Sequence, residues 1–195
     1  MVAVQQEPRG REQILNAARE LFATHGFHQT SMAELAAAAK VSVGQIYRLF
    51  KGKEDIIEAL IGADMHDRIK QVERLRLHLK AGEIDIEQTF EQIFLLSLRD
   101  KDEALSFDIL AEALRNAAVG ETVGDMCQRF RHFLREFACV ANPDLSGEAL
   151  DGAEEVILAC LFGLGHRSLS RPNLSDKSAA RRAAQMIVAA LKAIR

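Results

Sequence analysis

Apolar residues recur along the chain at intervals of three and four, and no stretch sustains the two-residue alternation of a half-buried strand. Ile14, Leu15, Ala18, Leu21 and Phe22 trace one face of a first helix, which Gly26 ends as a left-handed stop. Ser31-Met32-Ala33-Glu34 spells a capping box that opens a second helix. Ser42, with Gln45 three residues on, spells another and opens a third. Glu54 and Asp55 suit the positive end of a fourth helix, expected to run from Lys53 to about Lys80, ahead of Gly82. Ile86, Phe90, Ile93 and Phe94 mark a fifth, and Phe107, Leu110, Ala111 and Leu114 a sixth. Val123, Met126, Cys127, Phe130, Leu134 and Phe137 mark a seventh. An eighth is expected from Ser146 to around Leu169, and the last after Ser175, carrying Ala179, Ala183, Met186, Ile187, Ala190 and Ile194. Pro8, Pro143 and Pro172 fall outside all these segments, where a missing N–H does least harm. The expected fold class is all-α, with about nine helices and no sheet.

Composition narrows what such a bundle can be. A chain of 195 residues that is 48% hydrophobic has enough apolar surface for a packed interior. No apolar run approaches the roughly 18 residues of a membrane span, and MVAVQQEPRGRE lacks the apolar stretch of a secretory signal, so a cytoplasmic protein without a membrane partner is expected. Cys127, Cys139 and Cys160 are widely spaced and form neither a disulfide framework nor a metal motif; they read as small buried thiols. His66, His78, His132 and His166 share no ligand spacing, and no metal or cofactor is proposed. The net charge of -3 is unevenly spread. Residues 1–55 carry seven Lys/Arg against six Asp/Glu, while the remainder carries 18 against 22. A small DNA-binding end on an acidic body fits that distribution, since local placement of charge matters more than the total. Residues 1–9 read as a disordered tail, 10–55 as a first domain of short helices and 56–195 as a second of long ones, joined by the fourth helix as a continuous rod.

The stretch 31–50 has the anatomy of a helix-turn-helix. Its first helix is rich in small residues, Ala36 to Ala39, so the second can cross it closely. Met32, Leu35, Ala36, Val41, Ile46 and Phe50 are expected to form the shared core. The second helix is too short to be stable alone, yet its outward positions carry Val43, Gly44, Gln45, Tyr47 and Arg48, an odd set for a merely solvated face. Each has a use against a duplex. Gly44 allows close approach, Gln45 can pair with adenine, and Val43 can pack on a thymine methyl. Arg48 can reach guanine or phosphate, and Tyr47, the single tyrosine, can hydrogen-bond a phosphate oxygen. Lys53 lies just beyond as a second backbone clamp.

At these residues the chain resembles the tetracycline-repressor (TetR) family of one-component regulators. The resemblance covers about residues 10–60 and rests on Gly26-Phe27, Thr30-Ser31, Val41-Ser42-Val43-Gly44, Tyr47, Phe50 and Lys53-Glu54. It implies that Ser31, Ser42, Gly44, Gln45, Tyr47 and Lys53 contact DNA, with Val43 and Arg48 as candidate base readers. It also implies a homodimer joined through the final two helices, and a ligand pocket among the helices before them. Two positions depart from the family pattern: Lys40, where members usually carry Gly, and Arg48, where His is more usual.

The pocket is expected at Phe90, Phe94, Phe107, Met126, Phe130 and Phe133, which suit a small, largely apolar ligand, although each singly is also explained as core. Two glycines within a helical pattern, Gly163 and Gly165, point with Cys160 to close helix contact across a two-fold axis, extended to Ala183 and Ala190 of the last helix. The expected function is a ligand-responsive repressor that binds a palindromic DNA operator as a homodimer. No nucleophile–base pair or phosphate loop suggests an enzyme. The competing reading is a small-molecule-binding helical protein whose DNA-binding module has degenerated.

Overall fold

The computed structural model describes residues 3–99 and 103–194, with side chains described from Arg9 onward. Among them the chain forms nine α-helices and a short 3₁₀ turn, with no strand. The first four are α1 (Ala3–His25), α2 (Met32–Ala38), α3 (Val43–Leu49) and α4 (Lys53–Lys80). They are followed by α5 (Ile86–Leu98), α6 (Glu103–Ala113), α7 (Ala117–Ala141) and α8 (Gly147–Gly165). The 3₁₀ turn Arg167–Ser170 then leads to α9 (Asp176–Ala193). The all-α reading therefore holds.

Several boundaries differ from expectation for local reasons. Residues 3–9 are helical rather than a disordered tail, while residues 1 and 2 lie outside the described residues. Pro8 accordingly lies inside α1, not before it. It is the sixth residue of α1, just past the first turn, so its missing donor removes a single i→i−4 bond close to the helix start. The seventh helix starts at Ala117, ahead of Val123, with Asn116 Oδ1 accepting the Ala118 N–H at 3.1 Å. The eighth stops at Gly165 instead of Leu169.

The chain forms two compact units. One contains residues 1–65 and 102–125, the other residues 66–101 and 126–195. The division falls within α4, after Met65 rather than near residue 55, and α6 belongs with the N-terminal helices. In this first unit Ile14, Ala18, Phe22, Leu35, Ala36, Ile46, Phe50, Ile56, Ile57 and Leu60 are buried. Of the expected helix-turn-helix core, Leu35, Ala36, Ile46 and Phe50 are buried, whereas Met32 and Val41 are partly exposed.

The second unit packs α5, the C-terminal part of α7, α8 and α9 around Phe90, Ile93, Phe94, Leu134, Phe137, Ala180 and Ala184. Its polar fastenings sit at helix ends and between neighbours. The Asn142 amide donates to the carbonyls of Leu191 (2.9 Å) and Ile194 (3.0 Å), closing the end of α9. Glu154, almost wholly buried, is paired by Arg131 and by Arg135 at 2.9 Å, so its charge is compensated.

The end of α2 carries a measurable strain. Val41 N–H reaches Ala36 O at 3.0 Å and Lys40 N–H reaches Ala37 O at 3.1 Å, the paired bonds of a Schellman turn. Such a turn needs a left-handed residue, and Lys40 takes it at φ 56. At the end of α4 the same bonding pattern places Gly82 there, at φ 71. A side chain in that conformation costs about 1 kcal/mol relative to glycine. Lys40→Gly is therefore expected to raise the unfolding free energy by about 0.5–1 kcal/mol and the melting temperature by about 2 °C. Thermal and urea melts check this, and an unchanged or lowered midpoint would remove the strain argument.

Candidate nucleic-acid interface

The turn between α1 and α2 sets the position of everything after it. Gly26 leaves α1 at φ 84, and Thr30 Oγ1 donates back to the Gly26 carbonyl at 3.0 Å. Two distant side chains hold the peptides between them. Asp108 of α6 accepts the Phe27 N–H at 2.8 Å. Lys53, at the start of α4, donates from Nζ to Phe27 O at 2.7 Å and to His28 O at 3.1 Å, with the ammonium 4.8 Å from the Phe27 ring centre. Lys53 was expected to clamp a phosphate; in the folded chain its charge faces two carbonyls at the exit of α1.

Next comes α2, opened by the expected capping box. Ser31 Oγ accepts the Glu34 N–H at 3.2 Å, and the Glu34 carboxylate takes the Ser31 N–H at 2.7 Å and its hydroxyl at 2.8 Å. These bonds from Ser31 hold the Glu34 carboxyl below its ordinary range. The Ser31 hydroxyl proton is thus already directed at a carboxylate, and a phosphate contact from Ser31 requires it to turn.

Across α2 lies α3, fixed by two buried anchors, Ile46 and Phe50. The Arg11 guanidinium of α1 sits 5.6 Å from the Phe50 ring centre and holds the far end of α3. Burying Ile46 turns the opposite stripe outward: Val43 (49% exposed), Gly44, Tyr47 (53%) and Arg48, at i, i+1, i+4 and i+5. A methyl group built on Gly44 would meet nothing within 4 Å, so the fold itself gives no reason for glycine there. The structure therefore brings together four of the eight expected contact residues as one exposed surface.

Gln45 behaves differently. Its N–H donates to Ser42 Oγ at 3.1 Å, but the reciprocal half of the expected capping box is not formed. Its side chain lies against α1, where a methyl group on Gly10 would stand 2.7 Å from Gln45 Nε2. Sequence reasoning missed Gly10, Arg11 and Asp108. The signal for Gly10 was available, since a glycine continuing the apolar pattern of α1 is unfavourable without a packing reason.

The remaining expected residues divide. Phe90, Phe94 and Phe133 lie in the core of the second unit, with ring centres 6.1 Å apart for Phe90–Phe94 and 6.4 Å for Phe133–Phe137. Phe130 packs at the edge of that core and Met126 is half-buried. Phe107 belongs to the other unit and is 39% exposed. Of the expected dimer residues, Gly163 and Ala190 face outward. Cys160 and Ala183 pack against the core, and a methyl group on Gly165 would touch the Ser97 carbonyl oxygen at 3.7 Å. The outward stripe is Gly152, Val156, Ala159 and Gly163 on α8, and Met186, Ala189, Ala190 and Ala193 on α9. No helix among the described residues is long and apolar enough to cross a membrane.

Comparison with known proteins adds four findings. A family model described as "Bacterial regulatory proteins, tetR family" matches residues 14–60, which contain α2, α3 and Lys53. The HTH-type transcriptional regulator UidR of Escherichia coli K12 is 34% identical over 110 residues, 56% of this chain and 54% of its own. This chain thus spans about half the length of that relative. The HTH-type transcriptional repressor BepR of Brucella suis biovar 1 is 27% identical over 179 residues, 92% of this chain and 75% of its own. Among solved structures, the transcriptional regulator FadR from Bacillus subtilis in complex with stearoyl-CoA superposes with a TM-score of 0.69 at 18% identity. That likeness covers 91% of this chain and 97% of the other, and shows a shared fold.

Proposed function

We propose that the chain, whose residues 14–60 match the tetR family of bacterial regulatory proteins, is a ligand-responsive transcriptional regulator that represses by binding a palindromic operator as a homodimer. The observation that carries this reading is the outward stripe of α3, where Gly44 stands between an exposed valine and an exposed tyrosine with no internal reason to be glycine. Val43 and Arg48 read base edges, and Tyr47 holds the backbone. In a homodimer two such stripes enter successive major grooves, with half-sites about 34–36 Å apart. The stripes of small and apolar residues on α8 and α9 are the surfaces offered to a second copy. The name of BepR supports repression as the direction of control.

The ligand half of the reading takes support from FadR, crystallised with stearoyl-CoA in the same fold. A largely apolar effector would enter the second unit beside Phe90, Phe94, Phe130, Phe133 and Met126. Helix α4 contributes residues to both units, so a ligand that prefers one setting of α4 shifts operator affinity by its differential affinity for the two settings. A coupling of about 1–3 kcal/mol would change operator affinity about 5–150-fold.

Selection of random duplex DNA on the purified full chain tests the proposal. Enrichment of a palindrome with half-sites one turn apart is the expected result. Absence of any enriched sequence would overturn it in favour of a small-molecule-binding protein.

A further inference from the structure

Glycine in a helix interior is disfavoured, because it loses more backbone freedom than alanine and packs nothing. Gly10 nevertheless lies inside α1, and it is buried. What covers it is the side chain of Gln45. A methyl group at position 10 would stand 2.7 Å from Gln45 Nε2 and 3.8 Å from its Cδ, so the carboxamide lies directly over the α1 backbone.

A second observation comes from α3 itself. Gln45 is its third residue, where a glutamine beside a capping serine ordinarily reaches back to the cap N–H. On α2 the equivalent residue, Glu34, does so. On α3 only the Ser42 half exists, and the Gln45 carboxamide has left the cap for the surface of α1. Its neighbours Val43, Gly44, Tyr47 and Arg48 all face solvent, whereas Gln45 is half-buried.

Resting on the DNA-binding reading above, we infer that Gly10 is a specificity-determining position: it forms a slot on α1 that holds the Gln45 carboxamide away from the front of α3. Held there, the carboxamide is turned from base edges, and the base pair opposite it is read loosely. Filling the slot with one methyl group evicts the mobile end of the side chain. Released, it can make the two-bond contact with adenine that glutamine geometry allows. Position 10 thus sets how much sequence information α3 extracts, without touching DNA.

The test compares the wild-type chain with Gly10→Ala, Gln45→Ala and the double variant. Each is taken through selection on random duplex DNA, and Gly10→Ser serves if the alanine variant does not fold. Gly10→Ala is expected to raise the preference for adenine at one position per half-site by about 5- to 100-fold, the worth of one bidentate contact. In the Gln45→Ala background the same change should leave the base preference unaltered. A Gly10→Ala profile identical to wild type would overturn the inference, as would a change that persists without Gln45. A second readout needs no DNA. The Gln45 side-chain amide resonance, identified by its loss in Gln45→Ala, should move to the position of a solvated glutamine when the slot is filled. If no form of the protein enriches any sequence, the regulator reading fails, and with it the role of Gly10 in selectivity. An amide resonance that does not respond to Gly10→Ala overturns the slot itself.

Discussion

Gly44→Leu is expected to fold and melt as the wild-type chain does while losing operator affinity by about 100-fold or more. The two halves of this expectation have separate grounds. Gly44 is the second residue of α3, its φ is not in the left-handed region, and a built methyl group meets nothing within 4 Å. Helix propensity favours leucine over glycine by up to about 1 kcal/mol, so stability should stay level or rise slightly. Other glycines differ: Gly26 holds φ 84, and a methyl group on Gly120 would stand 2.8 Å from the Ala113 carbonyl oxygen. Loss of binding follows from the place of the new side chain, between Val43 and Tyr47 on the surface that would close on a major groove. A branched side chain there separates the two surfaces and removes contacts on both sides of it. A hundredfold loss corresponds to about 2.7 kcal/mol, or one or two good base contacts. Thermal melting with operator titration by anisotropy reads both halves. Wild-type affinity in Gly44→Leu would mean that this face of α3 does not enter the groove.

How far the sequence carries toward such statements depends on the separation of the partners. Helix starts at Ser31, Ser42, Asp85 and Ser175 rest on bonds spanning three residues, and three of these four residues were legible as signals. The outward stripe of α3 was legible too, because helical periodicity fixes which residues oppose Ile46. The fates of Gln45 and Lys53 were not. Both had a satisfactory local role, a capping box for one and an outward clamp for the other. In each case the fold supplies another partner in or beside α1, far back in the chain. The membership of α6 in the first unit was hidden for the same reason: Asp108 meets Phe27 across 81 residues. Spacing arguments describe a helix against itself and are silent on which polar group a fold will bring to it.

Lys53→Met separates the two roles now open to that residue. Methionine keeps an apolar stem of similar length and removes the ammonium. In the folded chain that ammonium donates to the carbonyls of Phe27 and His28 and lies over the Phe27 ring. Both carbonyls follow the end of α1, where cations are favoured and where acceptors lack helical partners. Phe27 is buried, so its carbonyl has little recourse to water once the ammonium is gone. Hydrogen bonds to a charged donor contribute about 1.5–3 kcal/mol when buried, and a cation–π contact about 0.5–1 kcal/mol at an exposed site. Discounted for the partial exposure of Lys53, a loss of about 2 kcal/mol of unfolding free energy is expected, with a melting temperature lower by about 4–8 °C. Operator affinity should fall as well, because the turn that places α2 and α3 loses one of its two side-chain supports while Asp108 keeps the other. The dependence of affinity on salt decides the rest. A purely structural lysine leaves the slope of log K against log salt unchanged, whereas a phosphate clamp reduces it by about 0.9 per contact in each subunit. Urea unfolding alongside a salt titration measures both. Unaltered unfolding with a reduced slope would return Lys53 to the DNA backbone; lowered stability with an unaltered slope makes it the strut that the geometry describes.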